Sequence, residues 1–277
     1  MNRRDFIQFT LATSALALFS ANSTALAQPA RKSQPKRGLG IGFRKDDRWQ
    51  EKLRSVGASW FYSWMHTAPA DIPPGLEYVP MIFRRISDAQ MDRSRDDIRE
   101  NKSKFLLGFN EPDAEKQGNV TVEEALAFWP KLMALSLPLV SPACVHADKE
   151  WMTAFMKGVK ERSLRVDFVA VHSYGGPNAD ALMRRLESVY KLYKRPIWLT
   201  EFGVGDWQAA SREENRYGPQ QVLAFMEQVL PRLDKAGFVH RYAWFPASQD
   251  NIPLGPCALF KDEDGSLTRL GECYRDL

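Results

Sequence analysis

The sequence predicts an α/β protein folded as a single (β/α)8 TIM barrel, and three observations support this prediction. Short apolar segments recur eight times along the chain, and polar–apolar segments of helical period separate most of them. No domain-sized linker and no internal repeat interrupts the alternation. The 277 residues are 44% hydrophobic and 26% charged, which is typical of a folded chain. An α/β barrel fills about 250 residues as one domain.

The eight strand candidates carry little internal charge, as expected for parallel strands buried on both faces. In chain order they are residues 38–43, 58–64, 78–83, 105–110, 137–143, 168–174, 196–202 and 242–247. The clearest helices are predicted over residues 88–101, 121–135, 149–162, 179–191 and 219–236. Thr121 followed by two glutamates is typical of a capped helix start, and Gly237 ends the longest helix. Residues 65–77 contain three prolines, so we expect a loop in place of the second helix.

A doubly wound open sheet is the alternative fold, and it would need a Gly-rich phosphate loop after the first strand. Gly38, Gly40 and Gly42 alternate within that strand candidate instead, and Phe43 and Arg44 follow where a third glycine would stand. We interpret these glycines as packing positions at the start of a barrel. The sequence therefore contains no dinucleotide motif, and no cofactor is predicted.

The first 27 residues have the pattern of a secretory signal. Arg3 and Arg4 precede an apolar run that ends in Ala25-Leu26-Ala27, and paired arginines indicate twin-arginine export. An uncleaved membrane anchor is the alternative, but polar residues interrupt the run and a cleavable site ends it. We expect a bacterial protein exported in folded form to the periplasm or beyond. Residues 28–37 would form a mobile leader and residues 38–277 the folded domain.

Charge, hydropathy and cysteine content exclude several other classes of protein. Cleavage of the signal would lower the net charge from +4 to +3, and the basic residues are spread along helices, so no nucleic-acid partner is predicted. A mean hydropathy of −0.40 excludes a polytopic membrane protein, and after cleavage we expect a monomer with no membrane contact. Cys257 and Cys273 could pair in an oxidising compartment, which the sequence leaves open. Around Cys144, His146 and His172 the usual zinc spacings are absent, so no metal is predicted.

A glutamate lies at or next to the carboxyl end of two strand candidates, and a TIM barrel has its active site at the carboxyl ends of its strands. Strand four ends in Asn110-Glu111-Pro112, and strand seven ends with Glu201. Since these strands face each other across an eight-stranded barrel, the two carboxylates could converge on one bond, as glycoside hydrolysis requires. A separation of about 5 Å would give the retaining reaction. Either glutamate alone could instead form a structural salt bridge.

The wider motifs around both glutamates resemble glycoside hydrolase family 128, within clan A. They read Leu107-Gly108-Phe109-Asn110-Glu111-Pro112-Asp113, Val171-His172-Ser173-Tyr174 and Trp198-Leu199-Thr200-Glu201-Phe202-Gly203. The resemblance covers residues 38–274. It implies an Asl1-like glycoside hydrolase barrel that hydrolyses β-1,3-glucan with retention and without a cofactor. We expect endo cleavage, which the motifs themselves do not determine.

The resemblance also implies roles for individual residues. Glu111 would be the general acid/base and Glu201 the nucleophile, while Asn110 would bind the 2-hydroxyl of the sugar under attack. Clan A enzymes usually carry a tryptophan under that sugar at the end of strand eight, and Trp244 occupies this position in the chain.

Further site residues follow from strand periodicity. His172 and Tyr174 are two residues apart, so they share a face and can both reach Glu201, with Tyr174 as the hydrogen-bond donor. A hydrogen-bonded core residue is the alternative for His172.

Aromatic residues are candidates for sugar binding, because the C–H faces of sugars stack on aromatic rings. Trp60, Tyr62 and Trp64 alternate on strand two and face one way. Three such rings would overfill a barrel, so we expect Trp64 to emerge at the mouth. Trp207, in the loop after strand seven, is the other candidate platform.

Three other functions remain open from the sequence. The chain could be a non-catalytic β-glucan-binding protein on the same barrel, or a clan A hydrolase of different linkage specificity. A cofactor-bearing redox protein would also suit folded export, although no motif supports it. Endo or exo action and the number of sugar-binding subsites stay undetermined.

Overall fold

The computed structural model describes residues 35–44 and 46–277. The predicted signal and most of the predicted leader lie outside the described residues. The described elements are β1 (Arg37–Gly40), α1 (Trp49–Ser55), β2 (Trp60–Tyr62), β3 (Glu77–Tyr78), α2 (Asp88–Asn101), β4 (Leu106–Leu107), α3 (Val122–Met133), β5 (Leu139–Val140), α4 (Glu150–Glu161), β6 (Val169–Gly175), α5 (Ala179–Tyr193), β7 (Ile197–Val204), α6 (Pro219–Lys235), β8 (Val239–Trp244), a 3-10 turn (Gly255–Cys257) and α7 (Arg269–Asp276).

The strands form parallel sheets, which confirms the predicted α/β class. Six strands hydrogen-bond in the order β3-β2-β1-β8-β7-β6, and β4 pairs with β5. Single parallel bridges join Met81 to Leu107 and Val140 to Phe168. The continuous ladders do not close the sheet into a barrel. Strands β3, β4 and β5 are two residues long, and Pro80 and Pro138 flank two of them without an N–H to donate.

Helix boundaries follow local capping chemistry. Thr121 accepts a hydrogen bond from the Glu124 amide, and the Glu124 carboxylate accepts one from the Thr121 amide at 3.0 Å. This capping box begins α3 as the sequence predicted. As also predicted, residues 63–76 contain no helix. Helices α1 and α7 were not among the predicted ones, and each is at most eight residues long.

Aromatic and charged side chains pack together at the amino-terminal ends of the strands. The carboxyl ends are therefore the open end, where the functional site lies. Arg241, at the start of β8, forms an ion pair with Glu77 at 2.7 Å. Its guanidinium lies over the rings of Phe105 and Trp198, 4.6 and 4.9 Å from their centroids. Gly38 packs against Trp60 so closely that a Cβ would come within 2.2 Å of the indole, consistent with a packing glycine.

Cys257 and Cys273 are not joined, and all three cysteines are thiols in the structure. The Cys257 sulfur accepts a hydrogen bond from the Val204 amide and donates one to the Val204 carbonyl, both at 3.0 Å. It thereby supports the end of β7. Among the described residues, no helix combines the length and apolar character of a membrane span.

Candidate active site

The two predicted glutamates come together at the carboxyl ends of the strands. Glu111 follows β4, and Glu201 lies within β7. His172 of β6 lies between them: its Nδ1 is 2.9 Å from Glu111 Oε1 and 3.6 Å from Glu201 Oε2. One ligand atom from each of these three residues lies within 4.8 Å of the others. Both carboxyl groups can therefore approach one glycosidic bond.

Three donors surround the Glu201 carboxylate, which is 6% exposed. Trp64 Nε1 donates to Oε1 at 2.8 Å and the Tyr62 hydroxyl donates to the same oxygen at 3.1 Å, while the Tyr174 hydroxyl donates to Oε2 at 2.6 Å. Burial, followed by the charge of Glu201, raises the pKa of Tyr62 and of Tyr174 well above the usual tyrosine value. Both hydroxyls therefore stay protonated as donors. Such donors stabilise an ionised carboxylate, the form that a nucleophile needs.

Glu111 has a different environment. Among the described residues, its carboxyl group has His172 as its one hydrogen-bond partner. Its backbone φ of 38° lies in the left-handed region, and its amide donates to the Ala143 carbonyl at 2.7 Å. A non-glycine residue in this region carries backbone strain of about 1–3 kcal/mol, which is common where a side chain is aimed at a site. The Glu111 carboxyl group therefore has fewer hydrogen-bond donors around it than the Glu201 carboxylate has.

His172 is buried between the two carboxyl groups. Burial lowers its pKa, but the charges of Glu201 and Glu111 and the hydrogen bond to Glu111 outweigh that effect, so the pKa lies above the usual histidine value. Its Nδ1 is closer to Glu111 than to Glu201, whereas the sequence pointed to Glu201. The imidazole therefore couples the two carboxyl groups electrostatically.

Asn110 precedes Glu111 and lines the same cavity. The side chain is 4% exposed, and its Oδ1 is buried without a hydrogen-bond partner among the described residues. Leaving a buried amide oxygen unpaired costs about 1–3 kcal/mol, so this oxygen is suited to accept a hydrogen bond from a ligand hydroxyl.

A cavity of about 830 Å³ opens around the glutamate pair. Its lining residues are Trp64, Phe83, Asn110, Glu111, Gln117, Val145, His146, His172, Tyr174, Arg185, Glu201, Trp207, Phe245 and Leu254. A second cavity of about 280 Å³ shares Trp64 and Phe245 with it. The binding surface therefore extends beyond the carboxyl pair.

Two of the predicted aromatic residues line the main cavity. Trp64 is half-buried and contacts Phe245 edge-on, with 6.0 Å between ring centroids. Trp207 is 62% exposed, and its Nε1 donates to the Tyr174 carbonyl at 3.3 Å. Beside Trp207, buried Asp206 accepts hydrogen bonds from the Arg216 side chain, which holds this loop in place.

Trp244 does not lie under a sugar, and that part of the sequence prediction is wrong. The side chain is fully buried, its Nε1 donates to the Cys257 carbonyl at 2.9 Å, and its ring packs against Phe202 at 4.9 Å. Successive strand residues face opposite sides. Phe245, the next residue, therefore faces the cavity, 5.6 Å from the Tyr174 ring.

Several residues of the site were not predicted from the sequence. Tyr62 was placed on the correct strand face but not recognised as a partner of Glu201, although its spacing from Trp64 carried that signal. The loop and helix residues Gln117, His146 and Arg185 had no sequence signal, since only the folded chain brings them to the cleft.

Comparisons with known proteins agree with this geometry. The family described as glycosyl hydrolase catalytic core matches residues 38–274. Alkali-sensitive linkage protein 1 of Schizosaccharomyces pombe is 28% identical over 248 residues, which are 86% of this chain and 44% of that protein. The chain thus spans less than half of that relative's length.

Solved structures of family 128 enzymes are similar to the chain over most of their length. An endo-β-1,3-glucanase of subgroup I from Amycolatopsis mediterranei, in complex with laminarihexaose, is 33% identical, with a TM-score of 0.76 over 87% of this chain and 98% of that one. A curdlan-specific exo-β-1,3-glucanase of subgroup III from Blastomyces gilchristii is 28% identical, with a TM-score of 0.70 over 88% and 99%. The chain therefore belongs to the glycosyl hydrolase catalytic-core family and, as its motifs suggested, to glycoside hydrolase family 128.

Proposed function

We propose that the protein is a retaining endo-β-1,3-glucanase. The observation that carries this proposal is the carboxyl pair: Glu111 and Glu201 bring oxygens within 4.8 Å of each other at the floor of one cavity. Retaining enzymes hold their carboxyl groups about 5 Å apart, whereas inverting enzymes leave about 6.5–9.5 Å for a water molecule. The β-1,3-glucan substrate is supported by the laminari-oligosaccharides bound to similar enzymes.

In the first step, Glu201 attacks the anomeric carbon while Glu111 protonates the departing glycosidic oxygen. The bond from the anomeric carbon to that oxygen breaks, and its electron pair stays with the oxygen that takes the proton. Glu201 becomes an ester, and its three donors hold the carboxylate in position beforehand.

In the second step, Glu111 acts as a base. It takes a proton from a water molecule as the water oxygen bonds to the anomeric carbon, and the ester electrons return to Glu201. His172 stabilises the negative charge that Glu111 carries between the two steps, because its Nδ1 lies 2.9 Å from the carboxyl oxygen. Asn110 would hold the 2-hydroxyl through its unpaired oxygen, a contact that strengthens as charge develops on the sugar ring.

Endo action is supported by the extent of the cleft. The second cavity shares Trp64 and Phe245 with the main cavity, which is also lined by Glu111 and His146. Sugars can therefore bind on both sides of the scissile bond, as internal cleavage of a chain requires.

The complete fold, the location and the assembly state are parts of the same proposal. A closed (β/α)8 barrel is supported by eight parallel strands in sequence order and by the bridges that join Met81 to Leu107 and Val140 to Phe168.

Periplasmic or extracellular location is supported by the signal pattern alone, and Arg3→Lys with Arg4→Lys should block export into a periplasmic fraction. We propose a monomer that has no nucleic-acid partner.

Reducing ends released from a linear β-1,3-glucan test the activity. The wild type should release them, and Glu201→Ala should abolish release while binding of the glucan remains. Binding without release by the wild type would support a non-catalytic glucan-binding protein. Faster release from β-1,4-glucan or mannan would support another linkage specificity.

A further inference from the structure

The cavity wall beside Glu111 differs in chemistry from the wall beside Glu201. Aromatic rings dominate near Glu201, where Trp64 and Phe245 also border the second cavity. Beside Glu111, the wall carries the polar residues Gln117, His146 and Arg185. We call these three residues the polar wall.

Backbone contacts hold the polar wall next to Glu111. The Asp113 carboxylate, two residues after Glu111, accepts hydrogen bonds from the Val145 amide at 3.0 Å and from the His146 amide at 3.4 Å. These bonds tie the loop after β5 to the loop after β4. Arg185 Nη2 in turn donates to the Val145 carbonyl at 3.4 Å, which joins α5 to the same assembly.

Arg185 is the member of the polar wall that has a buried donor without a partner among the described residues. It forms no ion pair with any described residue, its one hydrogen bond is long, and its Nε is buried without a partner. A guanidinium is always charged and offers five N–H donors. A buried N–H donor without a partner costs about 1–3 kcal/mol, and because Arg185 lines the cavity, a ligand hydroxyl there could accept from it.

The reaction chemistry determines which part of the substrate contacts the polar wall. Glu111 must protonate the departing oxygen, so the leaving sugar lies on the Glu111 side of the scissile bond. We propose that Arg185, with His146 and Gln117, binds the hydroxyls of the leaving-group sugar and makes cleavage depend on a sugar at this position. This inference rests on the proposed glucanase function and adds a residue that determines leaving-group specificity.

The test compares two leaving groups in Arg185→Met. One substrate is a laminari-oligosaccharide, which places a sugar against the polar wall, and the other is a 4-nitrophenyl β-laminari-oligoside, whose leaving group lacks those hydroxyls. For the oligosaccharide we expect kcat/KM to fall about 10- to 100-fold, because one or two hydrogen bonds from a charged donor are lost. For the aryl substrate we expect a change below about threefold, since no such bond is made.

Arg184→Met is the matched control, because Arg184 is the exposed neighbour on the same helix. It should change neither substrate. Arg185→Lys keeps the charge with fewer donors, so its rate on the oligosaccharide should lie between those of Arg185→Met and the wild type. If thermal unfolding shows that Arg185→Met is misfolded, Arg185→Lys takes its place in the comparison. Equal losses on both substrates, or no loss on either, would overturn the inference. A wild type inactive on both substrates would instead refute the proposed glucanase function.

Discussion

The hydrogen bond from Tyr174 to Glu201 is the contact whose loss should affect the chemistry most visibly. Tyr174→Phe removes a hydroxyl that lies 2.6 Å from Oε2 and leaves the ring in place. The variant keeps the edge-on contacts of the ring with Trp207 and Phe245. It therefore removes one donor with little change in packing.

A hydrogen bond to a charged group contributes about 1.5–3 kcal/mol. Because the acceptor is a buried carboxylate and the bond is short, we expect the upper half of this range. At 1.36 kcal/mol for each factor of ten, about 2.25–3 kcal/mol lowers kcat/KM about 45- to 160-fold on the acid side of its pH profile. The ionised form of the nucleophile loses this stabilisation, so the acid limb should move up by about 1.7–2.2 pH units.

The assay is the pH dependence of kcat/KM on an aryl laminari-oligoside, which reports ionisations of the free enzyme. Tyr190→Phe is the control, since Tyr190 stacks on Phe238 of the outer layer and does not line the cavity. Tyr62→Phe should shift the acid limb less, because its 3.1 Å bond is longer and its hydroxyl is shared with the Thr200 carbonyl. An acid limb unchanged in Tyr174→Phe would refute the view that this hydroxyl stabilises the ionised nucleophile.

Three further predictions follow from burial, charge and leaving-group chemistry. Trp244→Ala should destabilise the fold by about 3–5 kcal/mol and lower Tm by about 6–20 °C in thermal unfolding, because the side chain is fully buried. Trp207→Ala should leave Tm unchanged and raise KM for the polysaccharide, because its side chain is exposed. A rise in KM without loss of stability in the Trp244 variant would contradict the assignment of Trp244 to the core. Burial, then the charge of Arg241, lowers the pKa of His240 to about 4, so the unfolded chain takes up a proton at a higher pH than the folded chain does. The free energy of unfolding, measured in urea, should therefore fall by about 1–2 kcal/mol from pH 7 to pH 4.5, and His240→Phe should reduce this loss. An equal loss in that variant would show that other groups cause it. Glu111→Ala should lose the hydrolysis rate on the oligosaccharide but still form the ester with Glu201 from a dinitrophenyl glycoside, because the dinitrophenyl group leaves without protonation. Azide should then speed release of the sugar held in that ester. Equal rate losses on both substrates would contradict the acid/base role of Glu111.

The sequence predicted the features that depend on local pattern. Strands buried on both faces are apolar runs that end at a charged residue, so Glu111 and Glu201 stood out at strand ends. The two-residue period placed His172 and Tyr174 on one face, and both contact the carboxyl pair in the structure.

Features that depend on tertiary contacts could not be predicted. Whether Trp244 or Phe245 faces the cavity depends on the register of β8, because a shift of one residue turns every side chain to the opposite face of the sheet. The short helix α1 buries only Trp49 and Leu53, too few apolar positions for a helical period to be recognised. Arg185 reaches the cleft only because α5 packs beside the loop after β5.

The anomer formed first is the most direct test of the claim that Glu111 and Glu201 act by double displacement. Proton NMR during rapid hydrolysis of a laminari-oligosaccharide follows the new reducing end before it equilibrates in water. We expect the β-anomer to appear first and the α-anomer to appear only later, by mutarotation. Initial release of the α-anomer would contradict this claim, because a single displacement by water inverts the anomeric carbon.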